Sequence, residues 1–167
     1  MTRHIVSVLV ANNSGVLSRV SGLFSRRGYN IDSVSSGETE DPAVSRLTIV
    51  VRGDYNVLEQ IEKQLNKLVD VIKVAALDES SSVCRELLLV KVKAHEANRA
   101  AISEIVDIFR ARIIDVASES LIVEITGAES KLTAFLDLMQ KYDIREIART
   151  GITALGRGND ALRDEVN

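Results

Sequence analysis

Two asparagines, a serine and a glycine stand together in "ANNSGVL" (residues 11 to 17), between the apolar run "IVSVLV" and the amphipathic stretch "GVLSRVSGLFSRRG". Where a strand hands over to a helix, these residue types can cap: Asn13 or Ser14 would accept a hydrogen bond from an early helical amide, with Gly15 easing the turn. They can also bind, because the unpaired amides of a first helical turn sit at the positive end of the helix dipole and suit a small carboxylate. A free amino acid asks for donors to its carboxylate, acceptors for its ammonium and an apolar pocket for its side chain. The amides beside Gly15 supply the first, the Asn12 side chain and loop carbonyls the second, and Val16, Leu17 and Ile31 the third. A glycine at position 15 lets a ligand approach the backbone closely. Capping and binding are compatible.

The elements that must hold this loop are legible in the hydrophobic pattern. "HIVSVLVA" is an apolar, β-branched run of strand length, and the helix after the loop carries Val16, Leu17, Val20, Leu23 and Phe24 at helical spacing. "YNIDSVSSGE" and "AVSRLTIVV" are strand-like and flank "ETEDP", whose acidic residues and Pro42 suit an exposed hairpin loop. "YNVLEQIEKQLNKLVD" gathers Val57, Leu58, Ile61, Leu65 and Leu68, and "DVIKVAALD" returns to strand character. The order is βαββαβ. After the serine cluster "ESSSV", which reads as a linker, the order repeats through "RELLLVKVKA", a helix with Ile102, Ile105, Val106 and Phe109, the hairpin "RIIDVAS"/"SLIVEITG", the helix "KLTAFLDLMQKY" and a closing strand "DIREIARTGITAL". The expected class is α+β: two ferredoxin-like βαββαβ domains in tandem, at 1–79 and 80–158, each with both helices on one sheet face, followed by a flexible tail at 159–167.

Composition narrows the function classes. A net charge of -3 gives no basic footprint for nucleic acid, and Tyr29, Tyr55 and Tyr142 lie at element edges, where they make no base-stacking platform. Cys84 is the sole cysteine, and His4 and His95 stand apart from any metal-ligand spacing, so no metal site is expected. With no apolar run of the roughly 18 residues a bilayer needs, and no leader-like start, the chain is expected off the membrane and in the cytoplasm. No nucleophile elbow, P-loop or dinucleotide fingerprint occurs, and no catalytic residue is expected. Acylphosphatase-type chemistry would need an arginine in the "VANNSGV" loop, which has none. Arg26 and Arg27 before Gly28 read as ordinary helix-ending chemistry, and Glu59 with Lys63 as a solvated helical pair. Asp32 and Asp115 read as structural charges.

The run from "HIVSVLVANNSGVLSRVSGLFSRRGYNIDSVSSGE" through "LEQIEKQLNKLVDVIKV", "CRELLLVKVKA", "IFRARIIDV" and "KLTAFLDLM" to "IARTGITALGRG" closely resembles the regulatory small subunits of acetolactate synthase, also called acetohydroxyacid synthase. The first half then looks like an ACT domain, a βαββαβ module that binds amino acids at domain interfaces. The resemblance implies a non-catalytic subunit of branched-chain amino-acid biosynthesis that binds valine as feedback effector between the ACT domains of a homodimer. Asn12, Gly15 and Asn30 stand at the matching positions, with Asn13, Ser14, Val16, Leu17 and Ile31 around them. It also implies a partner: a separate catalytic large subunit carrying the thiamine diphosphate and flavin sites, with no cofactor in this chain. A stand-alone amino-acid-sensing ACT protein regulating another enzyme is the alternative. In the second half "AHEANR" replaces "ANNSGV", and no second effector site is expected there.

Overall fold

The computed structural model describes residues 2–165. The chain forms two compact units, one made of the residues up to Cys84 together with those from Gly151 onward, the other of Arg85–Thr150. In the first unit β1 (Thr2–Ala11), α1 (Val16–Arg27), β2 (Ile31–Glu38), β3 (Val44–Gly53), α2 (Tyr55–Leu65) and β4 (Val71–Leu77) give the expected βαββαβ order. The sheet is antiparallel with strand order β2-β3-β1-β4. Alternation along β1 and β3 sends Val6, Val8, Val10, Leu47, Ile49 and Val51 to one face, where α1 and α2 bury Val20, Phe24, Ile61 and Leu65 against them. Both helices therefore lie on one side of the sheet.

The same pattern produces the second unit. The later part of β5 (Ser82–Lys93) is followed by α3 (Arg99–Ile108), β6 (Arg112–Val116), β7 (Ser120–Gly127), α4 (Glu129–Met139) and β8 (Ile144–Arg149), in the sheet order β6-β7-β5-β8. Its core joins Leu88, Val90, Val92, Val123 and Ile125 to Ile102, Phe135 and Met139 from the helices. Two ferredoxin-like units of α+β class are thus built from one repeated order of elements.

Three boundaries differ from the sequence reading. The serine cluster is not a loose linker: Asp78 accepts from the Ser80 N–H at 2.8 Å and starts a short 3-10 turn at Glu79–Ser81, and Ser82 is already buried in β5. The expected closing strand 143–155 breaks after Arg149, and a separate strand β9 (Thr153–Gly156) pairs with β5. The cause is where the chain goes. From Gly151 it returns to the first unit, whose reverse sheet face offers Ile5 and Val50, each only 1% exposed, as the floor for Ile152 and Ala154. Gly151 passes so close to β2 that a Cβ there would lie 3.0 Å from the Val34 backbone, and Ser35 Oγ donates to the Ile152 carbonyl at 2.7 Å. Residues 151–158 therefore belong with the first unit, not with the expected 80–158 domain. Within the expected tail, Leu162–Glu165 form a 3-10 turn and Arg163 pairs with Glu40 at 2.7 Å; residues 166 and 167 lie outside the described residues.

Candidate functional site

The loop from Asn12 to Gly15 joins β1 to α1 at one end of the first sheet, with its residues exposed. Neither Asn13 nor Ser14 caps the helix. Gly15 itself is the N-cap, in the left-handed region at φ 83°, and no side chain accepts from the first turn. The expected capping interaction is absent because the αL turn is made by the one residue that adopts it without a Cβ penalty. The first helical bond runs from Arg19 N–H to the Gly15 carbonyl at 3.0 Å. The amides of Val16, Leu17 and Ser18 consequently lead out of the first turn with no intrahelical acceptor, the arrangement that suits a small anion.

Asn12 is anchored more firmly than its exposure suggests. Its backbone N–H donates to Ala43 O at 2.8 Å, its Nδ2 donates to Pro42 O at 2.9 Å, and its Oδ1 accepts from the buried Ser45 hydroxyl at 3.0 Å. The side chain thus fixes the loop to the β2–β3 hairpin, leaving Oδ1 one further lone pair for a ligand ammonium. Val16, expected to line the ligand's apolar pocket, is only 4% exposed and sits in the helix-side core instead; Leu17 beside it is exposed. The reason is helical phase: position 16 shares its face with Val20 and Leu23.

Asn30 and Ile31 do not meet the loop within one chain. Ile31 opposes Val51, which opposes His4 at the start of β1, whereas the loop follows Ala11, which opposes Val44. The 12 residues of α1 separate them by about 18 Å. Asn30 is exposed at that far end, and Ile31 is half-buried against the core.

Arg19, which the sequence reading passed over, belongs to the site. It lies one turn beyond Gly15 on the same helix face, and a Cβ on Gly15 would meet its Nη1 at 3.1 Å. Its Nε donates to Asp70 at 2.7 Å, and Asp70 in turn accepts the Ala11 N–H through its carbonyl at 2.8 Å. The i, i+4 spacing from Gly15 was the available signal. Elsewhere the charges are structural: Arg26 and Arg27 end α1 before the αL Gly28, Glu59 pairs with Lys63 at 2.8 Å, and Asp32 with Arg52 at 2.6 Å. The Asp32 carboxylate, by hydrogen bond first and by charge second, raises the Arg52 pKa. Among the described residues no cluster of His, Cys, Asp or Glu could hold a metal ion, and no helix is long and apolar enough to cross a membrane.

Known proteins share this architecture and sequence. Residues 6–73 match the family model of the AHAS small subunit-like ACT domain, and residues 85–158 that of the small subunit of acetolactate synthase. The acetolactate synthase small subunit of Mycolicibacterium smegmatis is 52% identical over 155 residues, covering 93% of this chain and 91% of that protein. The isozyme 3 small subunit of Salmonella typhimurium is 49% identical over 162 residues, 96% of this chain and 99% of that one. The crystal structure of the acetolactate synthase small subunit from Thermotoga maritima superposes with a TM-score of 0.90 at 48% identity, over 96% of this chain and 100% of that chain.

Proposed function

Because the chain belongs to the family of acetolactate synthase small subunits, we propose that it is a non-catalytic regulatory subunit that binds valine and adjusts the activity of a catalytic large subunit in the cytoplasm. The observation that carries the reading is the uncapped start of α1: a glycine in the αL region, three amides without intrahelical acceptors, and Arg19 beside them. The valine carboxylate takes the amides of the first turn, its ammonium takes Asn12 Oδ1 and loop carbonyls, and Leu17 meets its side chain. No cofactor is assigned to this subunit. Thiamine diphosphate and flavin belong to the partner.

The separation of Asn30 and Ile31 from the loop gives the site its stoichiometry. An exposed loop on one chain is half a pocket, and two copies related by a two-fold axis, with their α1 helices antiparallel, carry Asn30 and Ile31 of one to the loop of the other. Each homodimer then holds two shared sites. Valine acts by binding one state of the assembly better than another, and a coupling of about 1 to 3 kcal/mol is typical of such effectors.

Mixed dimers test this. Gly15→Asp should abolish valine binding measured by calorimetry, and Asn30→Ala should weaken it. When the two variants are refolded together, one site of the mixed dimer has its loop and its Asn30 both intact, so valine should bind at wild-type affinity to about half the mixed dimers' sites. No rescue would place both residues in a site within one chain, and unchanged binding by Gly15→Asp would remove the loop from the site altogether.

A further inference from the structure

A cavity of about 330 Å³ opens on the reverse face of the first unit's sheet, between the β2–β3 hairpin and the segment that follows β9. Its floor is apolar, made by Leu9, Val44 and Ile72, and Leu155 of β9 forms one wall. Ile72 is 42% exposed and Leu155 58%. One such side chain is ordinary on a protein surface, but two lining one concavity offer apolar area that a bound group would cover.

Two cations and two carboxylates line the cavity, and Arg46 is the one placed to meet an anion. Arg46 enters it half-buried, and its Nη1 donates at 2.8 Å to the hydroxyl of Ser7, a fully buried residue. No carboxylate among the described residues lies in ion-pair range of that guanidinium. A cation partly withdrawn from water with a neutral hydroxyl for company is under-compensated, and its remaining donors suit a planar carboxylate. Of the two acids on its walls, Glu40 pairs with Arg163 at 2.7 Å, while Asp41 keeps its charge and is tied to the hairpin, its Oδ1 accepting the Ala43 N–H at 2.9 Å.

We propose that this cavity is a second ligand site, which takes a short branched aliphatic carboxylate with its head on Arg46 and its tail against Leu9, Ile72 and Leu155. It is distinct from the valine loop. The loop's helix packs on the other face of the sheet, and the ligand class needs no ammonium.

The test uses the full chain carrying isotope-labelled isoleucine and leucine methyl groups, titrated with isovalerate and, in parallel, with uncharged isovaleramide. Isovalerate should shift the Ile72 and Leu155 methyls saturably, and isovaleramide should not. Arg46→Gln should weaken isovalerate about ten-fold or more. Since Arg46 also holds Ser7, Leu155→Glu serves as a second variant: it places a repelling charge at a position that is 58% exposed, and it should weaken isovalerate equally. Absence of saturable shifts in the wild type, equal shifts from the amide, or indifference to both variants would overturn the site. A failed valine titration at the loop leaves all of these outcomes unchanged.

Discussion

The two units share strand order and helix placement, yet their equivalent strand-to-helix turns are finished differently. In the first, Gly15 turns the chain and leaves the amides of α1 without intrahelical acceptors. In the second, the His95 carbonyl accepts the N–H groups of Asn98 and Arg99 at 3.0 and 3.1 Å, the His95 N–H donates to Asn98 Oδ1 at 2.8 Å, and the Arg99 guanidinium donates to the carbonyls of Ala117 and Ser118. That turn is tied into its own unit. The reverse sheet faces contrast as well: the first presents Ile5 and Val50 and is covered by the returning chain, while the second carries the Lys91–Glu146 ion pair at 3.2 Å, partly open to water. The fold is common to both units, and what distinguishes them is which polar groups are left unfinished and which apolar face needs a cover.

The largest expected effect concerns that cover. A fragment ending at residue 79 keeps all six elements of the first βαββαβ set but bares Ile5 and Val50, whose burial is worth roughly 1.5–3 kcal/mol each. It should melt well below a chain in which residues 1–84 are joined by a flexible linker to residues 151–165, and it should bind a dye for exposed apolar surface. The fragment 85–150 has its own core and should unfold cooperatively without such help. Equal melting of the first two would mean that β9 is ornamental, and a molten 85–150 would break the symmetry of the comparison.

The returning strand also marks where the sequence stopped being informative. Periodicity reported every helix and strand of both βαββαβ sets because each is a local pattern of apolar residues. It could not report that residues 153–156 serve the first unit, since "GITAL" reads as a continuation of the strand before it and the face it covers is built from residues near position 5 and position 50. The loop was legible as a cluster of turn-formers. Its division of labour was not: whether Asn13, Ser14 or Gly15 forms the cap depends on a backbone angle, and whether Val16 lines a pocket or fills the core depends on the phase of a helix whose first residue was unknown. The Asn30 position followed from resemblance alone, and the strand register sets it at the opposite end of the sheet from the loop, a helix length away.

Next in size is Gly15→Asp, set against Gly15→Ala. Both variants pay for a Cβ at φ 83°, roughly 1 kcal/mol for αL backbone, and both crowd Arg19 Nη1 at 3.1 Å, a flexible end that can yield. Their melting temperatures should therefore fall together. Valine binding should separate them: the aspartate adds a charge at the proposed position of the effector carboxylate, and losing a charge-assisted hydrogen bond alone is worth about 1.5–3 kcal/mol, a 10- to 150-fold weakening. At the equivalent turn Asn98→Asp should leave valine binding untouched, because the proposed effector site does not include that helix. A comparable loss from Asn98→Asp would erase the distinction between the two loops.

The smallest effect tests whether residues 79–81 are part of the first unit or a passive join. Asp78 is held below the ordinary carboxylate range, first by the Ser80 N–H and then by the Ser80 hydroxyl, both favouring its charged form. A group whose folded value is depressed contributes stability that is fully present above its unfolded value, near pH 4 for an aspartate, and is lost as pH falls through the folded value. Asp78→Asn keeps an acceptor but removes the charge. Wild type should therefore be slightly more stable than the variant at neutral pH, by a margin that stays level down to about pH 5 and closes below pH 4. Because the carboxylate is exposed, the margin should also shrink in high salt. Parallel denaturation curves for the two proteins between pH 7 and pH 3 would show that the turn contributes nothing through its charge, and that Ser80 merely follows the chain into β5.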